Sequence, residues 1–363
     1  MTMQRAITPG EEWLDTEGKP IQAHGGSVMA VGDVYYWYGE NKERTDPATG
    51  IWHWGMRCYR STDLVNWEDL GLIIPPDVDD TASQLHPTQM ADRPHILYNE
   101  ASGLFVCWIK VMQADGGQLS TVLTASEITG PYTLARMGFK PLGMDAGDFD
   151  LVVDPDSKRG YYIFEKVHTE LIVADLTDDY TDVTGHFTSH FHRGHPPFVR
   201  EAPAHFTRDG RHYLITSGTT GYAPNRSEVA VADDLHGPWT VLGDPHPDDA
   251  TGRSFRTQVS SVFKHPHKDL WIAVADRWLP DFDGDADVIH RLFDVLFDPA
   301  STDEDKTAAL AAAPPPPVEN TAQARYVWLP IEWRGEVPTI SWHDSWNPGT
   351  HLSHSSQERH SQP

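Results

Sequence analysis

Along this chain, short apolar runs alternate with polar, glycine- and proline-rich punctuation. Typical runs are "GDVYYWYGE" (32–40), "GLFVCWIKV" (103–111), "RGYYIFEKV" (159–167), "GRHYLITSG" (210–218) and "DLWIAVADRW" (269–278). Each opens after a turn signal, is rich in aromatic and β-branched residues, and has about the length of one strand. Helical periodicity is confined almost entirely to "DVIHRLFDVLF" (287–297). The pattern predicts an all-β fold.

A repeat sharpens the class. "YRSTDLVNWEDLG" (59–71), "LTASEITGPYTL" (123–134), "IVADLTDDYTDV" (172–183) and "VAVADDLHGPWTVL" (229–242) share one plan: a strand end, a polar turn, an aromatic and a short strand. The aromatics Trp67, Tyr132, Tyr180 and Trp239 recur at spacings of 65, 48 and 59 residues, which suits four-stranded propeller blades joined by variable loops. With "YVWLPIEWRGEVPTISWHD" (326–344) closing the set, five blades fit, and a two-domain sandwich is the competing arrangement. The expected organisation is a single five-bladed β-propeller over 1–348. Residues 282–324, with an acidic stretch, "KTAALAAA" and "PPPP", read as an insertion between two strands of the last blade, either a lid or a solvated excursion. The segment 349–363 has few apolar residues and reads as a disordered tail.

Composition removes several function classes. With 53 acidic against 28 basic residues the formal net charge is -25, opposite to what phosphate-rich partners or anionic membranes select. No apolar run approaches the roughly 20 residues of a membrane helix, and the start "MTMQRAITPGEEWLDTEG" has no apolar signal region. A cytoplasmic location is the expectation for this chain as it stands, or a secreted one if a leader has been trimmed. Cys58 and Cys107, both inside strand-like runs, are expected as buried thiols rather than a disulfide.

A propeller presents residues of its innermost strands around one end of a central axis, so function should come from polar residues there. Acids in apolar or tightly turned contexts are the candidates: Glu40 in "YYWYGENK", Asp92 in "MADRPHILYN", Asp148 in "DAGDFDLVVD", Glu201 in "VREAPAHF" and Asp276 in "VADRWLP". Paired carboxylates are what glycoside hydrolysis needs, one to protonate the leaving oxygen and one to drive attack from the other face. Trp54, Tyr222, Trp278 and Trp328 are candidate sugar-stacking surfaces, with blade core as the competing reading. Among the 20 His there is no HExxH motif, and neither a G-x-S-x-G elbow nor a phosphate loop occurs. No metal or other cofactor is expected, with an axial calcium ion left open.

The segments "IQAHGG" (21–26), "YYWYGENK" (35–42), "MRCYRSTDLVNWEDLGLIIPP" (56–76), "DRPHILYN" (92–99), "REAPAHF" (200–206), "YLITSGTTGYAPN" (213–225), "QVSSVF" (258–263), "DRW" (276–278) and "YVWLPIEW" (326–333) resemble the family 43 glycoside hydrolases, most closely their exo-β-1,3-galactanase branch. The resemblance implies a five-bladed propeller and an inverting glycosidase acting on oligo- or polysaccharide. Carried over residue by residue, it implies that Glu201 is the general acid and Asp148 the carboxylate that raises its pKa. A cation beside that acid would oppose its protonation, so Arg200 is expected to point away or pair elsewhere. Where most members have an Asp base, this chain reads Ala23-His24-Gly25; the branch lacks that Asp too, and Gln258 matches the amide proposed to hold the water there as an imidic acid. Glu40 and Asp92 are the carboxylates that could take that place or bind sugar hydroxyls, with Asp92 standing where the branch usually has Glu. His24 is a subsite residue or a packed axial histidine. The reading is exo-hydrolysis of β-1,3-linked galactan or arabinogalactan oligosaccharides. The alternatives are β-xylosidase or α-L-arabinofuranosidase activity, or a catalytically silent glycan-binding propeller.

Overall fold

The computed structural model describes residues 3–313 and 320–351. The prolines of "PPPP" and nearly all of the expected disordered tail lie outside the described residues.

Five four-stranded antiparallel sheets follow one another along the chain. Blade 1 is β1 (His24–Val31), β2 (Val34–Glu40), β3 (Met56–Ser61) and β4 (Glu68–Ile74). Blade 2 is β5 (Met90–Asn99), β6 (Leu104–Met112), β7 (Gln118–Ala125) and β8 (Thr133–Phe139). Blade 3 is β9 (Ala146–Val153), β10 (Gly160–Lys166), β11 (Glu170–Leu176) and β12 (Val183–His190). Blade 4 is β13 (Arg200–Arg208), β14 (Arg211–Gly218), β15 (Glu228–Ala232) and β16 (Thr240–Gly243). Blade 5 is β17 (Gln258–Lys264), β18 (Trp271–Arg277), β19 (Arg325–Arg334) and β20 (Val337–Ile340). The five first strands contact one another around the axis, making the five-bladed β-propeller that the repeat predicted.

The five apolar runs that open the sequence pattern are the second strands β2, β6, β10, β14 and β18. They are buried on both faces, between the blades on either side, and so read as near-continuous apolar segments. The ring closes between blades 1 and 5 without a shared strand. Ile7 pairs with Trp346, and Trp13, Trp37, Trp67 and Trp328 interlock across the seam with ring centroids 4.7–5.8 Å apart. Cys58 and Cys107 are free and buried in the core between blades 1 and 2.

The insertion leaves β18 at the axial end that carries the first residues of the inner strands, and it contains α1 (Ala286–Phe297) and α2 (Asp303–Ala312). Asp285 caps α1, and a Thr302/Asp305 capping box starts α2. α1 docks on blades 3 and 4: Asp294 meets His195 at 2.8 Å, His290 packs on Phe198, and Phe297 packs on His168. No residue of α2 is buried. Among the described residues no helix is long and apolar enough to cross a membrane.

Candidate active site

Each inner strand carries one extra residue relative to its partner, at the same level of the propeller. The register slips between His24 and Ser27, between Asp92 and His95, opposite Glu165 on β9, between Glu201 and Ala204, and between Val259 and Ser261. Such bulges bend a strand and re-aim its side chains. The local sequences explain them: Gly25, Arg93 and Ala202 take φ of 60°, 50° and 49°, and Pro94 and Pro203, which have no N–H for the ladder, follow two of them. At Gly26 a Cβ would sit 1.8 Å from the Tyr38 carbonyl oxygen, so only glycine fits. The bulges place His24 opposite Glu40, Asp92 opposite Lys110, Glu201 opposite Ser217 and Gln258 opposite Asp276.

At this axial end lies a cavity of about 370 Å³, lined among others by Glu40, Asp92, Asp148, Glu201 and Gln258. Its aromatic wall is Trp52, Tyr222 and Trp278, with Tyr222 edge-on to Trp278 at 5.5 Å. Trp54, one residue pair away, instead stacks under Arg44 and does not line the cavity.

Glu201 is buried, and its carboxyl is pushed up to about 8, first by burial and then by the negative charges of Asp148 and Glu165, which outweigh His168 and Arg93. Its Oε1 accepts from Gln258 Nε2 at 3.1 Å. Arg200, next in sequence, points to the other face of β13 as strand alternation requires, donating to the Thr216 hydroxyl and to the carbonyls of Thr216 and Arg226. Asp148 behaves oppositely to Glu201. Burial alone would raise it, but Arg93 Nε at 2.8 Å and Lys110 Nζ at 2.9 Å hold it at about 2. Asp92 is raised to about 7 by burial, which outweighs Lys110 at 3.2 Å and is reinforced by Glu40 and Asp148. Glu40 meets the buried ammonium of Lys42 at 2.7 Å and accepts from the Arg93 backbone N–H at 3.1 Å.

Gln258 is bonded on all sides. Its Nε2 also donates to Ser217 Oγ at 2.9 Å, and its Oε1 receives Trp278 Nε1 at 3.0 Å and a guanidinium N–H of Arg93.

Three expected site residues lie elsewhere. Trp328 is fully buried in the seam between blades 1 and 5 among Trp13, Trp37 and Trp67, where no sugar reaches it; its apolar size made it core. His24 and Asp276 are beneath the cavity rather than on its wall. His24 Nδ1 pairs with Asp276 at 2.9 Å, its Nε2 with the Tyr326 hydroxyl at 3.2 Å, and Asp276 also accepts the Gly25 N–H. With both ring nitrogens engaged and the ring stacked on Tyr326, His24 takes the packed-histidine reading.

The sequence reading missed Arg93, Lys110, Glu165, His168 and Trp52, all on the cavity wall. One signal was present: Glu165 ends an apolar second strand just as Glu40 and Asp276 do. Among the described residues, Asp175, His186 and His236 group their ligating atoms on the outer strands of blades 3 and 4, away from the cavity, and Asp175 there already pairs with Arg159.

Known proteins place this geometry. The sequence profile of the glycosyl hydrolases family 43 matches residues 19–286. No curated protein matches the chain. Among solved structures, the family 43 β-1,3-galactosidase BT0265 superposes with a TM-score of 0.76 at 27% identity, covering 95% of this chain and 64% of its own. A second, BT3683 with galactodeoxynojirimycin, gives 0.76 at 26% identity over 94% of this chain and 100% of its own. The exo-β-1,3-galactanase of Phanerochaete chrysosporium with β-1,3-galactotriose gives 0.75 at 26% identity over 94% of this chain and 68% of its own. The chain thus spans somewhat under two thirds of BT0265. With the family profile covering well over half its length, this chain belongs to family 43 of the glycoside hydrolases.

Proposed function

We propose that the protein is an inverting, exo-acting β-galactosidase that releases galactose, or galactose bearing a side chain, from the non-reducing end of β-1,3-linked galactan or arabinogalactan oligosaccharides. The observation that carries this reading is Glu201, a buried carboxyl held protonated up to about pH 8 on the wall of a small cavity beside an aromatic face. At about 370 Å³ the cavity is near the lower end of ligand pockets, roughly 300–1,000 Å³, and suits a chain end better than a chain passing through. Galactan as substrate is supported by the solved relatives, a β-1,3-galactosidase and an exo-β-1,3-galactanase holding β-1,3-galactotriose.

Inversion needs a base across the sugar from the acid, with the two groups roughly 6.5–9.5 Å apart. Gln258 does not meet that requirement: it touches Glu201 at 3.1 Å from the adjacent blade. Its oxygen receives two groups that only donate, Arg93 and Trp278, and an imidic O–H would leave it nothing to donate to. In our reading Gln258 orients the acid, in place of the base role that the resemblance implied. The water falls to Asp92, on a blade not adjacent to that of Glu201 and titrating near neutrality at about 7. Glu40, bonded to Lys42, then serves sugar hydroxyls.

The test is incubation with β-1,3-galactobiose and β-1,3-galactan, following the first product by proton NMR. Early α-galactose is expected. Hydrolysis of aryl β-xyloside or α-arabinofuranoside without galactobiose cleavage would move the specificity elsewhere in the family, and binding without turnover would make the propeller a glycan-binding module.

A further inference from the structure

The acid has two carboxylate neighbours, and they are held differently. Asp148 is locked between two fixed cations, Arg93 and Lys110, so its field at Glu201, the stronger of the two, is constant across ordinary pH. Glu165 is not. Its side chain is 3% exposed on the cavity wall, and among the described residues its one ionic partner is His168, whose Nδ1 lies 2.6 Å from Oε1 and whose ring is 35% exposed at the rim. The fold makes room for this carboxylate. It opposes the bulge of β9, where a Cβ on Gly147 would come within 2.4 Å of Glu165 Oε2. His168 is in turn backed by Phe297 of α1, so the insertion reaches the site through this ring.

We propose that Glu165 and His168 form a positioning pair for the acid, in which Glu165 adds to the fixed field of Asp148 that retains the proton on Glu201 and His168 is the adjustable counter-charge of Glu165. The proposal rests on the reading of Glu201 as the general acid. The charged groups acting most strongly on Glu201 are Asp148 from β9, Glu165 from β10, His168 from the following loop and Arg93 from β5; Glu40 from β2, Asp92 from β5 and Lys110 from β6 share the cavity wall. Of the two that oppose its protonation, Arg93 keeps its charge at any ordinary pH, and only the imidazole of His168 can lose it. Burial would lower its pKa, but Glu165 outweighs burial and raises it. As pH rises and His168 discharges, Glu165 is left uncompensated and the acid holds its proton harder.

The test is carboxyl carbon NMR of glutamate-labelled protein, with the Glu201 resonance assigned by its loss in Glu201→Gln. Glu165→Gln is expected to lower the Glu201 midpoint by about one unit or more, Glu165→Asp to place it between, and His168→Gln to raise it. Opposite shifts from two bonded neighbours are not produced by a structural role. An unmoved midpoint in either folded variant, or shifts of the same sign, overturns the pair; should Glu165→Gln not fold, Glu165→Asp and His168→Gln decide it. The titration is independent of turnover. If Glu201→Gln kept full activity on β-1,3-galactobiose, the acid assignment would fall while the shifts still reported on the pair.

Discussion

The Gln258 amide nitrogen lies 3.1 Å from Glu201 Oε1, and its amide oxygen is fixed by the Trp278 indole N–H at 3.0 Å. Because Oε1 is occupied as an acceptor in this bond, Oε2 is the oxygen left free to present the proton in the proposed acid role. A neutral amide thus orients the acid without adding charge to it, and the wall that holds the amide is the wall that would stack a sugar.

Glu201→Gln removes the proton but keeps the shape. We expect kcat on β-1,3-galactobiose to fall by about 10²–10⁴-fold. An aryl galactoside whose phenolate leaves without protonation should lose far less. Comparing the two substrates checks this, and equal losses would point to misfolding or lost binding.

The pH dependence of kcat/KM follows from two groups. Asp92, about 7, must be ionised, so activity rises as pH climbs through that value; Glu201, about 8, must be protonated, so activity falls above it. A narrow bell centred between them is expected in a stopped assay across pH 5–10. A plateau extending to pH 5 would exclude Asp92 as the base.

Asp92→Asn and Gln258→Ala separate base from orienting residue. The first should lower kcat by about 10²–10⁴-fold, as loss of a general base does. The second should cost less in kcat and leave the stereochemistry of the product inverted. A larger loss in Gln258→Ala than in Asp92→Asn would return the base role to the amide.

Two of the three tryptophans expected to stack on sugar should behave differently. Trp328→Ala, in the blade seam, should destabilise the fold by about 3–5 kcal/mol in thermal or denaturant unfolding. Trp278→Ala, on the cavity wall, should chiefly raise KM and release Gln258.

Residues differed in how legible they were. The second strands were plain because burial on both faces makes them continuous apolar runs, and the hairpin repeats beyond them gave the blade number. The inner strands were obscure because they are polar at their first residues and kinked by an extra one, which breaks the alternation on which strand reading depends. Glu201, Asp148 and Asp92 stood out as acids in tight apolar contexts and do share one cavity. Arg93 and Lys110 did not, since a cation in a strand usually reads as solvated and only the fold shows both bonded to Asp148. Trp328 and Trp278 could not be told apart because aromatic size serves core and sugar equally.

The added residue in each inner strand has a further consequence. Beyond it every ladder resumes in the register that packs the blade, so the site residues, which lie ahead of the extra residue or, for Asp148, within the bulge, are set apart from that packing. The five positions then behave as separate sockets in one rigid frame. A blade can carry a histidine or an amide at the start of its inner strand, as the first and fifth do with His24 and Gln258, while the other blades carry acids. Chemistry in this architecture is therefore free to migrate around the axis from one blade to another without the fold being rebuilt.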